Sequence, residues 1–190
     1  MIKFQVNDFI DRFEDVVDRD LSLQIIENAK SLLSKSDVMG RNKKARDSSS
    51  VFLHSEDYPI LKGLDEIVAS LTKKTRNYQE DWNIVRYDVG GRYWPHYDFV
   101  SEDRAEYEEF IKFGGQREFT FILYLNDVEE GGETSFPLLD LKFKPKLGTA
   151  ILFKNVVDQQ TNPNSLHSGE PVLKGEKWIA VKWVRENSRK

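Results

Sequence analysis

The sequence contains no cysteine. Disulfides, thiolate metal sites and a cysteine nucleophile are therefore excluded together, and any metal must be held by nitrogen and oxygen ligands. No apolar stretch approaches the roughly 18 residues of a helical membrane span, and the N-terminus has no signal-peptide pattern. The expectation is a cytoplasmic protein with no membrane association. Positive charge is not in excess: 28 Lys and Arg stand against 32 Asp and Glu, a formal net charge of −4. That leaves no electrostatic footprint for general nucleic-acid binding. The short basic run Arg41, Lys43, Lys44 and Arg46 lies among polar residues and reads as a solvated loop. Histidine is scarce as well, three in 190 residues, so the position of each one carries information.

What is present fits a folded chain. Hydrophobic residues make up 39% and charged residues 32%, which suits a globular protein rather than a disordered or membrane one. Length predicts a single domain over 1–190, with a helical support region at 1–75 and a β-rich core at 76–190. Met1 to Phe9 alternates loosely and predicts a strand. Leu21, Ile25, Ile26, Ala29, Leu32 and Leu33 mark one face of a helix, with Asp20 as its expected N-cap. A second helix is expected from Asp57-Tyr58-Pro59, with proline in its first turn and Ile60, Leu64, Ile67, Val68 and Leu71 as its stripe. Between the helices, Ser36 to Ser50 reads as a long mobile loop.

From Trp82 the texture changes to short β-runs with turn punctuation. Expected strands are Asn83 to Val89, Tyr93 to Phe99, Glu118 to Leu125, Leu141 to Phe143, Thr149 to Phe153, Leu166 to Val172 and Lys177 to Val184. Gly90-Gly91 separates the first two. The fold class is α+β and mostly β, a sandwich or barrel with the N-terminal helices on one face. Glu102 to Glu109 is expected to be a solvated lid or short helix, and His54 a polar loop residue.

One constellation carries chemistry. His96-Tyr97-Asp98 is followed by His167 and then by Lys177. Period two puts His96 and Asp98 on one face of a strand and Tyr97 on the other. Two histidines and a carboxylate are the ligand set of a mononuclear non-haem Fe(II) centre with open positions. The bland reading is a hydrogen-bonded His–Asp pair and an unrelated histidine, because a lone HxD is weak evidence. Lys177 opens the apolar run Trp178-Ile179-Ala180-Val181, where an inward cation needs a partner. It either pairs with the far carboxylate of 2-oxoglutarate or points to solvent, as Lys182 is expected to do.

Several further segments, from about Arg46 to Glu186, resemble the prolyl 4-hydroxylase family of Fe(II)/2-oxoglutarate dioxygenases. They are Arg46-Asp47-Ser48-Ser49-Ser50, Val85-Arg86-Tyr87, Tyr93-Trp94-Pro95-His96-Tyr97-Asp98 and Gly114-Gly115-Gln116-Arg117, then the stretch from Tyr124 to Thr134. Phe136-Pro137, Lys144-Pro145, Leu166-His167-Ser168-Gly169, Pro171-Val172 and Gly175-Glu176-Lys177-Trp178 complete the match. Their order and spacing together are specific.

The resemblance implies a double-stranded β-helix core of the jelly-roll or cupin type. It implies iron bound by His96, Asp98 and His167. Lys177 then engages the distal carboxylate of 2-oxoglutarate, helped by Tyr87 and Thr134. Tyr124 belongs either to that pocket or to the barrel core. On the substrate side Glu80, Tyr93, Arg117 and Trp183 match the peptide groove and proline pocket, and Arg46 and Ser48 match a loop that closes over the peptide. Glu80 and Arg117 as surface salt bridges and Trp183 as core are the bland alternatives. The implied activity is procollagen-proline 4-dioxygenase-like hydroxylation of peptidyl proline, with 2-oxoglutarate decarboxylated to succinate by O2 and ascorbate as reductant. The implied partner is a proline-containing peptide or protein. A hydroxylase of a free amino acid or another side chain, or a non-catalytic β-barrel binding module, are the other readings. Arg185 departs from the family pattern, standing where members acting on collagen-like peptides often carry histidine, and this puts peptide specificity in question. A cysteine-free chain looks more like a bacterial or viral member than a secretory-pathway subunit.

Overall fold

The computed structural model describes residues 1–36 and 45–189. Helices α1 (Arg19–Lys30), α2 (Lys62–Thr72) and α3 (Tyr107–Ile111) accompany a larger set of short strands. In chain order these are β1 (Ile2–Gln5), β2 (Ile10–Glu14), β3 (Ser34–Lys35), β4 (Arg46–Asp47), β5 (Ser49–Leu53), β6 (Trp82–Tyr87), β7 (Arg92–His96) and β8 (Arg117–Tyr124). They continue with β9 (Glu130–Gly131), β10 (Thr134–Phe136), β11 (Leu141–Phe143), β12 (Ala150–Lys154), β13 (Val156–Val157), β14 (Gln160–Thr161), β15 (His167–Gly169), β16 (Val172–Lys174) and β17 (Lys177–Arg185).

Among the described residues the strands form an eight-stranded sheet, β1-β2-β12-β8-β17-β6-β5-β3, and a five-stranded sheet, β11-β10-β15-β7-β4. The pairs β13-β14 and β16-β9 stand apart. Period two divides the core. Along β8, Phe121 and Leu123 join a cluster with Ile25 and Ala29 of α1 and Leu64 and Val68 of α2. Ile122 and Tyr124 of the same strand join a second cluster with Phe136 of the opposite sheet. Strand β17 splits the same way, with Trp178 and Ala180 toward the helices and Ile179, Val181 and Trp183 into the inner core. Both helices thus cover one outer face, and the two sheets enclose the inner core as a double-stranded β-helix.

Local differences from the sequence reading have physical causes. The N-cap of α1 is Asp18, whose carboxylate accepts from Leu21 N at 2.8 Å; Asp20 lies inside the first turn. The helix stops at Lys30, so Leu32 is exposed and does not extend the apolar face. Pro59 starts a 3-10 turn, and the α-helix proper begins at Lys62. The expected loop before Ser50 contains β4 and the start of β5, polar strands that carry no alternation to reveal them. Arg41, Lys43 and Lys44 fall outside the described residues. The region before residue 76 supplies strands to both sheets as well as helices. The single strand expected from Leu166 to Val172 is two, β15 and β16, in different sheets.

The turn at Gly90-Gly91 positions the site. Gly90 has φ 84°, and a Cβ on Gly91 would sit 2.7 Å from Asp88 O. Glycine therefore lets the chain leave the eight-stranded sheet at Tyr87 and enter the five-stranded one at Arg92. Tyr87 and His96 end up on facing sheets.

Candidate active site

His96 and His167 are cross-strand partners on β7 and β15, with ring centroids 4.3 Å apart. Asp98 lies just past the end of β7 rather than within it, yet the alternation persists: Tyr97 is exposed and Asp98 buried. Asp98 Oδ1 is 3.7 Å from His96 Nε2, and Oδ2 is 3.7 Å from His167 Nε2. One donor atom from each of the three lies within 4.8 Å of the others.

The surroundings suit all three to metal ligation. His96 Nδ1 is 2.8 Å from Trp94 O, and His167 Nδ1 is 2.9 Å from Ser165 O. A carbonyl only accepts, so each ring carries its proton on Nδ1 and turns the Nε2 lone pair toward Asp98. Burial, reinforced by His167, lowers the His96 pKa to about 3, which keeps that imidazole neutral. Burial alone would raise Asp98, but the two histidines, Arg117 and a hydrogen bond from Thr120 overcome it and hold the carboxyl at about 2. Two imidazoles and an ionised carboxylate on one side of a cavity fit Fe(II). His167 is thus not unrelated to the His–Asp pair but stands beside it.

Lys177 faces Tyr87 across β17 and β6. Its Nζ lies 5.4 Å from the Tyr87 ring and 5.8 Å from the Tyr124 ring, at 2% exposure. Burial lowers its pKa to about 7, and Glu133 and Glu170 offset this only in part. Such a cation is short of an anion. Tyr124 packs in the inner core and does not itself line the cavity; it donates its hydroxyl to Thr134 Oγ1, which does, at 2.8 Å. Burial raises the Tyr87 hydroxyl pKa despite the nearby Arg46 and Ser48.

Tyr87, Tyr93, His96, Asp98, Thr134, His167, Lys177, Trp183 and Arg46 line one cavity between the sheets. The Tyr93 ring stacks on His96 at 3.5 Å, and the Arg46 guanidinium lies 5.0 Å over Tyr93. Arg46 and Ser48 occupy a paired segment, with Arg46 opposite Tyr93 and Nε donating to Ser48 Oγ at 2.7 Å. Within the expected loop, these two residues thus lie on and beside a short edge strand.

Glu80 and Arg117 are neither a surface pair nor two independent groove residues. Glu80 is buried and grips Arg117 through two bonds of 2.7 and 2.8 Å, while Arg185 Nε reaches Glu80 Oε1 at 2.8 Å. Arg117 lies 3.6 Å over the Trp183 ring and lines the groove outside the cavity; Glu80 lines neither. Arg185 also donates to Phe110 O and Gly115 O. The position that departs from the family pattern is thus a buried tether to α3. His54 is half exposed, with Nε2 3.9 Å from Asp81 Oδ1 and away from both cavities.

Two side chains escaped the sequence reading. Thr120 donates to Asp98 Oδ2 at 2.7 Å, and Asn83 lines the cavity with a buried, unpartnered Oδ1. Period two held the signal for both: Thr120 shares its face with Tyr124, and Asn83 with Tyr87.

The model of the 2OG-Fe(II) oxygenase superfamily matches residues 82–185, which include all three ligand candidates and Lys177. The chain belongs to this superfamily. It is 36% identical over 186 residues to Prolyl 4-hydroxylase 13 of Arabidopsis thaliana, covering 86% of this chain and 66% of that protein. A putative prolyl 4-hydroxylase of Acanthamoeba polyphaga mimivirus is 37% identical, with 86% of this chain and 68% of that protein covered. The chain thus spans about two thirds of the length of these relatives. Among solved structures, the viral collagen prolyl hydroxylase of Paramecium bursaria Chlorella virus-1 in complex with 2-oxoglutarate aligns with a TM-score of 0.75. It has 27% identity, and 94% of this chain and 96% of that one are covered. The cofactor set of the superfamily, Fe(II) and 2-oxoglutarate with O2, is the set that the donor chemistry fits.

Proposed function

We propose that this chain hydroxylates peptidyl proline, with 2-oxoglutarate converted to succinate, and that His96, Asp98 and His167 hold the iron. The observation that carries the reading is Lys177, buried without an ion-pair partner among the described residues in a cavity that also holds the His-Asp-His set. When bound, the iron supplies oxygen activation coupled to decarboxylation of the co-substrate. The side chains do the rest. Lys177 receives the distal carboxylate, where an ammonium makes short charge-assisted hydrogen bonds, with the hydroxyls of Tyr87 and Thr134 beside it. Tyr124 orients Thr134 through their 2.8 Å bond. No acid or base is required of the protein.

A peptide is favoured over a free amino acid by the adjoining groove. It encloses about 760 Å³ and runs past Phe52, Tyr97, Phe99, Arg104, Arg117 and Trp183 to His96 and Asp98. The relatives named prolyl 4-hydroxylases support proline as the residue presented there. Trp183 lines both the groove and the cavity and in this reading flanks the pyrrolidine ring, an apolar contact that orients carbon without binding it. Arg117, fixed by Glu80 and stacked on Trp183, offers its remaining N–H groups to a peptide carbonyl.

The test is succinate release in the presence of Fe(II), 2-oxoglutarate and either a proline-rich peptide or free proline. Turnover is expected with the peptide and should vanish in His167→Ala while the fold persists. Turnover with free proline alone would move the assignment to the amino-acid reading, and full activity in His167→Ala would remove the metal assignment.

A further inference from the structure

Asp98 and His167 come from distant parts of the chain, and two hydrogen-bonded paths leave them. Both end at Asn155, between β12 and β13. On the first path, Asp98 Oδ2 accepts from Thr120 Oγ1 at 2.7 Å, and that oxygen accepts from Asn155 Nδ2 at 2.8 Å. On the second, His167 Nδ1 donates to Ser165 O at 2.9 Å. Ser165 donates through Oγ (2.7 Å) and N (3.0 Å) to Asn162 O, and Asn162 N donates to Asn155 O at 2.8 Å. Thr120, Asn155 and Ser165 have no exposed surface, and Asn162 is nearly as buried.

Chemistry fixes the polarity of the first path. Asp98 is ionised and only accepts, so the single hydroxyl proton of Thr120 goes to it. Thr120 then has only lone pairs left for Asn155, which must present its NH2 group. That orientation leaves Asn155 Oδ1 buried without a partner. Turning the amide over would claim the Thr120 proton and set two acceptors, Thr120 Oγ1 and Asp98 Oδ2, against each other. The orphaned oxygen is what remains when the proton is directed at Asp98. The second path brackets the excursion at β13 and β14: Asn162 Nδ2 also closes on Lys154 O at 2.9 Å, so the ends of that hairpin are tied below it.

We propose that Asn155 is a positioning residue shared by two of the three metal ligands. Its amide orders Thr120 and commits Asp98 Oδ2, leaving Oδ1 with free lone pairs. Its carbonyl anchors the Asn162–Ser165 turn that sets the tautomer and plane of His167. Partners of this kind typically change metal affinity 10- to 100-fold when removed, because an unfixed ligand must be ordered on binding. The proposal rests on the metal reading above.

Titration of the full chain with Co(II), followed by visible absorption, tests it without turnover. Thr120→Val, which keeps shape but removes the proton, and Asn155→Ala should each weaken Co(II) about 10- to 100-fold and alter the absorption envelope. Thr120→Ser should restore both. The Thr120→Val/Asn155→Ala double variant should bind no worse than Thr120→Val, since both substitutions break one path. Wild-type affinity in Thr120→Val, or fully additive losses in the double variant, would overturn the proposal. Should Asn155→Ala fail to melt cooperatively, the near-isosteric Val and Ser pair at position 120 decides alone. Failure of the metal reading looks different: wild type would not bind Co(II), or binding would survive His167→Ala, and both readings would fall together.

Discussion

Lys177 and Lys182 share strand β17 at opposite parity, and period two gives them opposite partners. Lys177 turns inward, where burial lowers it to about 7 and leaves it short of an anion. A bound dicarboxylate supplies that anion, so Lys177→Ala should weaken 2-oxoglutarate by at least tenfold while metal affinity changes little. Calorimetric titration of each ligand checks this, and equal losses for both would make the lysine structural. The depressed pKa also sets a pH dependence. Above about 7 the ligand-free side chain is mostly neutral and must take up a proton on binding. Affinity for 2-oxoglutarate should therefore fall as pH rises from 7 toward the ordinary lysine range, by up to about tenfold per unit. Proton uptake is read from calorimetry in buffers of different ionisation enthalpy, and pH-independent affinity across that window would contradict the account. At this scale the sequence was most informative about side chains with a chemical identity of their own. His96, Asp98, His167 and Lys177 could be named as a set because the segments around them, in order and spacing, resemble a known family. Thr120 was not, since period two puts it on the inward face of β8 with Tyr124 but only the fold brings it to Asp98.

Lys182 turns outward to the helices and has no exposed surface. Its Nζ lies 2.7 Å from Asp65 Oδ1 on α2 and 4.7 Å from the Trp82 ring, while Arg76 reaches Asp65 Oδ2 at 3.1 Å. The expectation of a solvent-facing lysine failed because its partner sits on another element, and strand periodicity says nothing about what covers the far side. Helix α2 is thus docked by an ion-paired cluster as well as by Leu64 and Val68. Asp65→Ala leaves Lys182 buried without a carboxylate and should cost about 3–5 kcal/mol, measured by urea unfolding. A loss below about 1 kcal/mol, the range of an exposed pair, would show the cluster to be solvated. Element boundaries followed the same logic. Alternating strands such as β8 and β17 were readable, whereas β4 and the start of β5 are short polar edges defined by their neighbours.

For the molecule as a whole, two sheets hold the chemistry between them and the helices stiffen one from outside. The β-rich texture and the helices on one face were legible, because two periodicities seldom mimic each other over long runs. The count of strands and their division between sheets were not. The Gly90-Gly91 crossing, which looks like an ordinary turn, is what brings Tyr87 and Lys177 on one sheet to face His96 and His167 on the other. No helix among the described residues is long and apolar enough to cross a membrane. The groove and the inter-sheet cavity share Arg46, Asn83, Tyr93, His96, Asp98 and Trp183, so the peptide proposed for the one would present a side chain to the other. The central claim is that this side chain is proline. Tandem mass spectrometry of a proline-rich peptide, after incubation with the protein, Fe(II) and 2-oxoglutarate, tests it most directly. The account predicts a gain of one oxygen atom localised to proline and absent in His167→Ala. An unmodified peptide, or oxygen localised to another residue, would contradict it.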